Sequence, residues 1–257
     1  MSIKKIVVLG AGNLAKSFIS SLKEKDINVL QIYNRHIEKI ENLAKTVNAE
    51  AIDNIENLSQ EADAFFFMLS DTGIVEIVEK IQPTNAILLH SAGSVPIDIF
   101  KNKSENYGVF YPFQTFSVEA AVDFYDVPLC VNASNEITYN KIKNFAKILN
   151  CKIIKANEEE RKYLHLSGVF ACNFMNHCIC IAEKILESKN LDKKLLLPLL
   201  KQSFNKVLET GAYHSQTGPA IRNDSETIAK HLEILKNDKI LSEIYKIMTD
   251  SIINLYN

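Results

Sequence analysis

The chain has 257 residues, 47% of them apolar and 23% charged, the ordinary balance of a globular protein with one large domain or two modest ones. A formal net charge of −2 supplies no basic field for nucleic acid or anionic lipid. Five cysteines (Cys130, Cys151, Cys172, Cys178, Cys180) form no CxxC pair, so neither a zinc site nor a disulfide framework is expected, and buried, reduced thiols in a cytoplasmic protein are expected instead.

Ile3–Leu9 is a short apolar run ending in a glycine turn, which predicts a first strand rather than an export signal. Helical spacing over Asn13–Lys25, a strand over Ile27–Tyr33, a helix over Ile37–Val47 and a weak strand near Ala49–Ile52 follow. Ala64–Leu69 is an unbroken apolar strand, Ile74–Ile81 a helix stopped by Gln82-Pro83, and Ala86–His90 a fifth strand. Tyr107–Tyr111 and Val127–Val131 read as strands flanking a loop rich in aromatics, and helix Glu136–Leu149 and strand Lys152–Lys155 come next. Beyond Glu158 every segment is helical: Glu158–Ser188, Asp192–Glu209, Ser225–Leu235 and Lys239–Leu255. The alternation predicts an α/β fold, a Rossmann-type mostly parallel sheet over residues 1–156, followed by an all-α domain over 157–257.

Directly after the first strand comes Gly10-Ala11-Gly12-Asn13-Leu14-Ala15. Its first glycine permits the tight turn, its second lets backbone N–H groups approach a pyrophosphate, and Ala15 lets the helix pack close to the sheet. The second strand ends in Asn34-Arg35 where an NAD site usually places an acid. A guanidinium there pairs with a 2′-phosphate, so NADP(H) is the expected cofactor. Leu69 and Ser70, ending the next long strand, are placed at the nicotinamide half of the cleft, and Asp71 either caps the following helix or meets ligand.

His90, Ser91 and Ser94 follow the fifth strand at the same sheet edge, as substrate contacts or as a turn with hydroxyl caps, and Tyr111 ends the next strand beside them. The stretch Tyr163–Ala182 has no Asp, Glu, Lys or Arg, but its His165, Asn173, Asn176 and His177 are costly in lipid, so a helix buried between other helices is expected rather than a membrane span. On a regular α-helix, with His165 as origin, Asn176, Asn173 and His177 fall near about 20°, 80° and 120°. This polar stripe either is satisfied inside the fold or at a dimer seam, or faces the cofactor cleft, where an imidazole can give a proton to a carbonyl or imine. Arg222, in the loop Gly218–Asp224, either clamps a substrate carboxylate or caps helix carbonyls.

In this one order, Gly10–Ala15, Asn34-Arg35, Ser70-Asp71, His90–Ser94, Tyr111–Phe116, the His165–His177 helix and Gly218–Asp224 resemble a bacterial family of Rossmann-like proteins with a helical C-terminal domain of unknown function. That family is similar to pyrroline-5-carboxylate reductase, the deazaflavin-dependent NADP oxidoreductases and the β-hydroxyacid dehydrogenases. The resemblance implies NADP(H) binding at Gly10, Gly12, Asn34 and Arg35, and dimerisation through the helical domain. The β-hydroxyacid dehydrogenases carry a catalytic lysine between a glycine and an asparagine. Gly168 and Asn176 keep that spacing, but Cys172 stands at the lysine position.

The expectation is therefore a cytoplasmic, homodimeric NADP(H)-dependent oxidoreductase for a small polar carbonyl, imine or alcohol, with no metal. His165, His177 and Asn173 are its candidate catalytic residues. His90, Ser91, Ser94, Tyr111, Asn176 and Arg222 are its candidate substrate contacts. Gly10, Ala11, Gly12, Asn13, Leu14, Ala15, Asn34, Arg35, Leu69 and Ser70 hold the cofactor. The alternative is a non-catalytic NADP(H)-binding regulatory or sensor dimer, which the missing lysine favours.

Overall fold

The computed structural model describes residues 2–117 and 122–256. Two compact units divide it, Met1–His177 and Cys178–Asn257. The division falls beyond the expected boundary near Ala156. The last strand does end at Lys155, but the helix that follows belongs with the sheet unit.

The first unit is an eight-stranded sheet in the order β3-β2-β1-β4-β5-β6-β7-β8. Its strands are β1 (Lys5–Leu9), β2 (Asn28–Tyr33), β3 (Glu50–Ile52), β4 (Ala64–Phe67), β5 (Ile87–His90), β6 (Tyr107–Pro112), β7 (Pro128–Ala133) and β8 (Lys152–Lys155). Strands β3 to β6 are parallel throughout, β7 runs antiparallel to β6 with Tyr111 opposite Cys130, and β7 and β8 are parallel again. The sheet is thus mostly parallel, as expected.

Alternation along β1 feeds two cores. Ile6 and Val8 pack with Phe18, Phe66, Phe110 and Phe145 on the face covered by α1 (Asn13–Ser21) and α4 (Glu136–Ile148). Val7 and Leu9 pack with Phe67, Ile74 and Phe100 on the opposite face, which α3 (Asp71–Lys80) covers. Each buried phenylalanine stabilises the fold by roughly 1.5–3 kcal/mol through area removed from water, and the rings of Phe18 and Phe66, 4.8 Å apart, lock α1 to the middle of the sheet.

Local chemistry moves several boundaries. Helix Asp71–Lys80 starts before the apolar period does, because the Ser70 hydroxyl accepts from the Gly73 N–H and caps it, so Ser70 rather than Asp71 is the cap. The single helix expected over Ile37–Val47 is a 3₁₀ turn, Ile37–Lys39, followed by α2 (Glu41–Lys45). Asn157 and Glu160 form a reciprocal capping box that starts α5 (Glu158–Gly168). A π-helical turn, Val169–Phe174, then leads without a break into α6 (Met175–Glu187).

The expectation that this helix is buried between others is not met. The run Glu158–Glu187 is long and apolar enough to cross a membrane by length and composition, yet its apolar window has no residue buried within the chain, and Leu166, Phe170 and Phe174 are exposed. Charge-free composition reports that a face is apolar, not that the same chain covers it.

The second unit continues α6 into α7 (Leu196–Thr210), α8 (Ala212–Ser215), α9 (Ser225–Leu235) and α10 (Lys239–Tyr256). Asp224 caps α9, and His231 meets the Tyr245 hydroxyl at 2.8 Å to tie α9 to α10. Leu197, Leu208, Ile234, Ile240 and Ile247 remain exposed on this unit.

Candidate functional site

The turn after β1 has the shape its glycines permit. Gly10 has φ +129°, and a Cβ there would stand 2.1 Å from the Met68 carbonyl oxygen, so no other residue fits. Gly12 is the N-cap of α1 and gives it no side-chain cap, and a Cβ on it would meet no atom within 4 Å. Free N–H groups at a helix start therefore face open space with no acid in the first turn, which fits a dinucleotide pyrophosphate. Ala15 is fully buried against the sheet, Ala11 and Leu14 pack at the margin of its core, and Asn13 donates to the Phe116 carbonyl at 3.1 Å, tying the aromatic loop to the same turn.

At the adenosine end, the Asn34 side chain accepts from the His36 N–H at 2.9 Å and shapes the turn. Arg35 is exposed, and its guanidinium lies 3.3 Å from the carboxylate of Glu76 on α3. Sequence reading missed Glu76, because nothing in its own neighbourhood marks it as facing a residue on another strand.

The parallel strands β1, β4, β5 and β6 bring Gly10, Leu69, Ser91 and Tyr111 to their C-terminal edge, where ligands bind in open α/β sheets. A concavity of about 790 Å³ at the opposite edge, lined by Asp63, Thr84 and Lys103 among others, takes no part in this arrangement. Leu69 is half-buried under α3. Ser91 donates to the Phe67 carbonyl at 3.3 Å, and the Ser94 hydroxyl donates to the Asp71 carboxylate, so both serines first serve the turns that join the strand ends.

His90 differs from expectation. It is fully buried beside Phe100, and its Nδ1 accepts from the Ala92 N–H at 3.2 Å. Burial first, and the charge of Arg161 second, push its imidazole down to about 3. A neutral, enclosed ring of this kind braces the turn after β5.

One wall of the site is α5. The Tyr111 hydroxyl and His165 Nδ1 are 3.0 Å apart. Burial pushes the Tyr111 phenol up to about 12, so the hydroxyl keeps its proton, while His165 is exposed. The imidazole lies over Gly93: a Cβ at residue 93 would come within 2.5 Å of His165 Cγ. One turn earlier, Arg161 is completely buried. Its Nε donates to the Gly93 carbonyl at 3.2 Å, and Nη2 donates to the Val95 carbonyl. Gly168 passes the ring of Phe113, where a Cβ would stand 3.0 Å from Cε2. These contacts are why α5 belongs to the first unit. Arg161 was not foreseen, since an arginine after three glutamates reads as a solvated charge; the signal that could have found it is its place four residues before His165, on the same helix face.

The other polar residues of this helix are not gathered in. Asn173, Asn176 and His177 are exposed and make no side-chain hydrogen bond among the described residues. The π turn also alters their register, because one extra residue turns the helix beyond it back by about 100°. Counted so, His177 rather than Asn176 shares the side of His165. Arg222 is exposed in the second unit. Of the five cysteines, all free, Cys130 alone is buried, Cys151, Cys172 and Cys180 are half-buried, and Cys178 is exposed, so the expectation of buried thiols holds for one of them.

Known proteins share these features. Residues 127–252 match the domain of unknown function DUF2520, and residues 1–104 match shikimate/quinate 5-dehydrogenase. Glutamyl-tRNA reductase of Methanocaldococcus jannaschii is 39% identical over 72 residues, 27% of this chain and 18% of that protein, and that of Prochlorococcus marinus is 28% identical over 127 residues, 46% and 29%. The chain thus spans less than a third of the length of these curated relatives. Among solved structures, 1-pyrroline-5-carboxylate reductase from Streptococcus pyogenes shares the fold at 11% identity and TM-score 0.62, over 97% of this chain and 98% of that one. A Thermotoga maritima protein does so at 21% identity and TM-score 0.69, again over 97% and 98%. A candidate NADP oxidoreductase from Bacteroides fragilis is 35% identical over 98% of both chains, with TM-score 0.89. With identity at that level over its whole length, this chain belongs to the family of Rossmann-like proteins that carry a helical C-terminal domain of unknown function.

Proposed function

We propose that this protein is an NADP(H)-dependent oxidoreductase acting on a small polar carbonyl or imine, or on the corresponding alcohol or amine in reverse. The observation that carries the reading is the Tyr111–His165 pair, 3.0 Å apart, at the same strand edge as the uncapped Gly12 turn. The name of the 35% identical Bacteroides fragilis protein supports it, as does the partial identity to glutamyl-tRNA reductases.

Gly10, Gly12 and the start of α1 would hold the pyrophosphate, and Arg35 the 2′-phosphate. The chemistry such a cofactor would supply, held there, is a hydride for an electrophilic carbon. The substrate oxygen or nitrogen must then gain a proton, and Tyr111 has one to give. As Oη–H is transferred out, His165 Nδ1 lies across the same hydrogen bond to relay a proton back to the phenol oxygen, and the exposed imidazole is open to exchange with water. The products are an alcohol or amine and the oxidised cofactor.

We further propose a homodimer, in which exposed leucines and isoleucines of the second unit such as Leu197, Leu208, Ile234 and Ile247 would be covered, and a cytoplasmic setting, which suits five free thiols. A membrane role for Glu158–Glu187 conflicts with Arg161, His165 and Gly168 being fastened to the sheet unit.

Two measurements test the reading. Titration with NADPH and NADH should show tighter binding of NADPH, and NADPH consumption screened against keto acids, cyclic imines and aldehydes should find activity that Tyr111→Phe and His165→Ala abolish. Activity indifferent to both substitutions removes the proton-donor assignment. Binding without consumption of NADPH by any substrate class turns the reading to the sensor alternative.

A further inference from the structure

Arg161 is the largest fully buried side chain of the fold, and its surroundings are unusual for a buried charge. Among the described residues no carboxylate lies within ion-pairing distance of it. Its hydrogen-bond partners are two backbone carbonyls, of Gly93 and Val95, and its third nitrogen, Nη1, is buried without a partner. Taking a guanidinium out of water on such terms costs several kcal/mol, a cost that a purely structural position would avoid with methionine or leucine.

Its place in the helix shows what it does. Arg161 and His165 are one α-helical turn apart, so both point from α5 at the same turn after β5. They grip the same residue from two sides: Arg161 binds the Gly93 carbonyl, and His165 lays its ring where a Gly93 side chain would be. The ring in turn meets Tyr111 on β6. The turn from Gly93 to Val95 is therefore the ledge on which the imidazole rests, and the guanidinium is the only side chain among the described residues that donates hydrogen bonds to the carbonyls of that ledge.

We propose that Arg161 is a positioning residue for the Tyr111–His165 pair, clamping the Gly93–Val95 turn to α5 so that the imidazole is held within hydrogen-bond reach of the phenol. The inference rests on the proposed reading only for the purpose of that pair, while the clamp itself is a statement about geometry. Burial lowers the pKa of the guanidinium, with Glu158, Cys130 and Tyr111 acting in the opposite direction, and the charge bears on His90 and Cys130 as well. It is the fixed positive centre of this side of the site.

The test needs no substrate. The His165 ring protons should show nuclear Overhauser contacts to the Gly93 α-protons and to the Tyr111 ring in the full-length protein. Arg161→Met, which fills the space without charge or donors, should lose both sets of contacts, while the amide spectrum of β1 to β4 stays in place and NADPH affinity stays within about twofold, as expected for separated sites. Arg161→Lys keeps the charge and one donor and should restore part of the contacts, which a role in bulk packing alone would not predict. Where Arg161→Met does not fold, the lysine variant carries the test by the partial loss of the same contacts. Retention of the wild-type pattern in either folded variant overturns the clamp. Loss of activity in Tyr111→Phe is a separate result, so the clamp and the proton-donor reading can fail independently.

Discussion

The imidazole of His165 occupies the volume that any side chain at residue 93 would need, with 2.5 Å between its Cγ and the nearest position of a Cβ. An alanine there must displace either the ring or the turn, and the turn is held by Arg161. Gly93→Ala is therefore expected to swing His165 away from Tyr111. Turnover should fall by about 10²-fold, the scale of losing a positioned proton donor, with stability reduced by about 1–3 kcal/mol from overpacking. NADPH affinity should not change, because the Gly10–Gly12 turn is untouched. Steady-state kinetics beside a binding titration decide it; a parallel loss of cofactor binding would mean that the turn at 93 supports more than the proton donor.

His90 makes stability depend on pH. Its folded-state value lies near 3 against an ordinary 6.5, so the folded protein excludes a proton that the unfolded chain accepts. Stability from this group is complete above pH 6.5 and declines as pH falls toward 3, by up to about 1.4 kcal/mol per unit. Denaturant titrations between about pH 6.5 and 5.5 read it before protonation of the unfolded chain's carboxyls draws on Asp26, Glu61 and Asp224, whose folded-state values are lowered. His90→Asn keeps an acceptor for the Ala92 N–H and should flatten the slope. An equal slope in wild type and variant would place the proton uptake elsewhere.

These two residues show where sequence reading reaches and where it stops. The Gly10–Ala15 turn was legible because strand, glycines and helix are adjacent in the chain and each obeys a local rule. His165 and Tyr111 were legible as polar residues in apolar settings, but their meeting was not, since nothing short of the fold pairs β6 with α5. His90 looked like a ligand contact because a histidine ending a strand is compatible with both surface and core. Arg161 was hidden by its neighbours Glu158, Glu159, Glu160 and Lys162, a run whose composition describes a solvated face. The reversal at β7 was equally hidden, as the side-chain period of a strand is the same in both directions. The π turn at Val169–Phe174 leaves no compositional mark, so the helical wheel drawn from a constant 100° placed Asn176 where His177 belongs.

The capping box at the start of α5 offers a gentler perturbation. The Asn157 side chain accepts from the Glu160 N–H at 2.9 Å, and the Glu160 carboxylate accepts from the Asn157 N–H at 2.7 Å. Asn157→Ala should cost about 1 kcal/mol of stability. Because Arg161 sits in the first full turn after that cap, the clamp on Gly93 should loosen with it, and turnover should fall while the midpoint of thermal unfolding drops by only a few degrees. An unchanged turnover with the same loss of stability would show that the clamp tolerates a frayed helix start.

Cofactor preference turns on Arg35 and Glu76. Their ion pair, at 3.3 Å with both side chains more than half exposed, is the kind that contributes about 0–1 kcal/mol and is readily exchanged. A 2′-phosphate brings roughly two negative charges and a bidentate match to the guanidinium, so it outcompetes a single exposed carboxylate. Two opposite effects follow. Arg35→Ala should weaken NADPH binding by about tenfold, the value of one charge-assisted contact, and leave NADH nearly unaffected. Glu76→Gln removes both the competitor for Arg35 and a negative charge beside the phosphate, and it should tighten NADPH binding by about two- to fivefold, again with little change for NADH. Both effects should shrink as salt is raised, since the groups are exposed and their field is screened over about 10 Å at 0.1 M. Fluorescence titrations of the two variants with both nucleotides at low and high salt would measure this. Were NADH and NADPH to respond alike, the adenosine ribose would have to sit away from Arg35, and Glu76 would be an ordinary surface carboxylate.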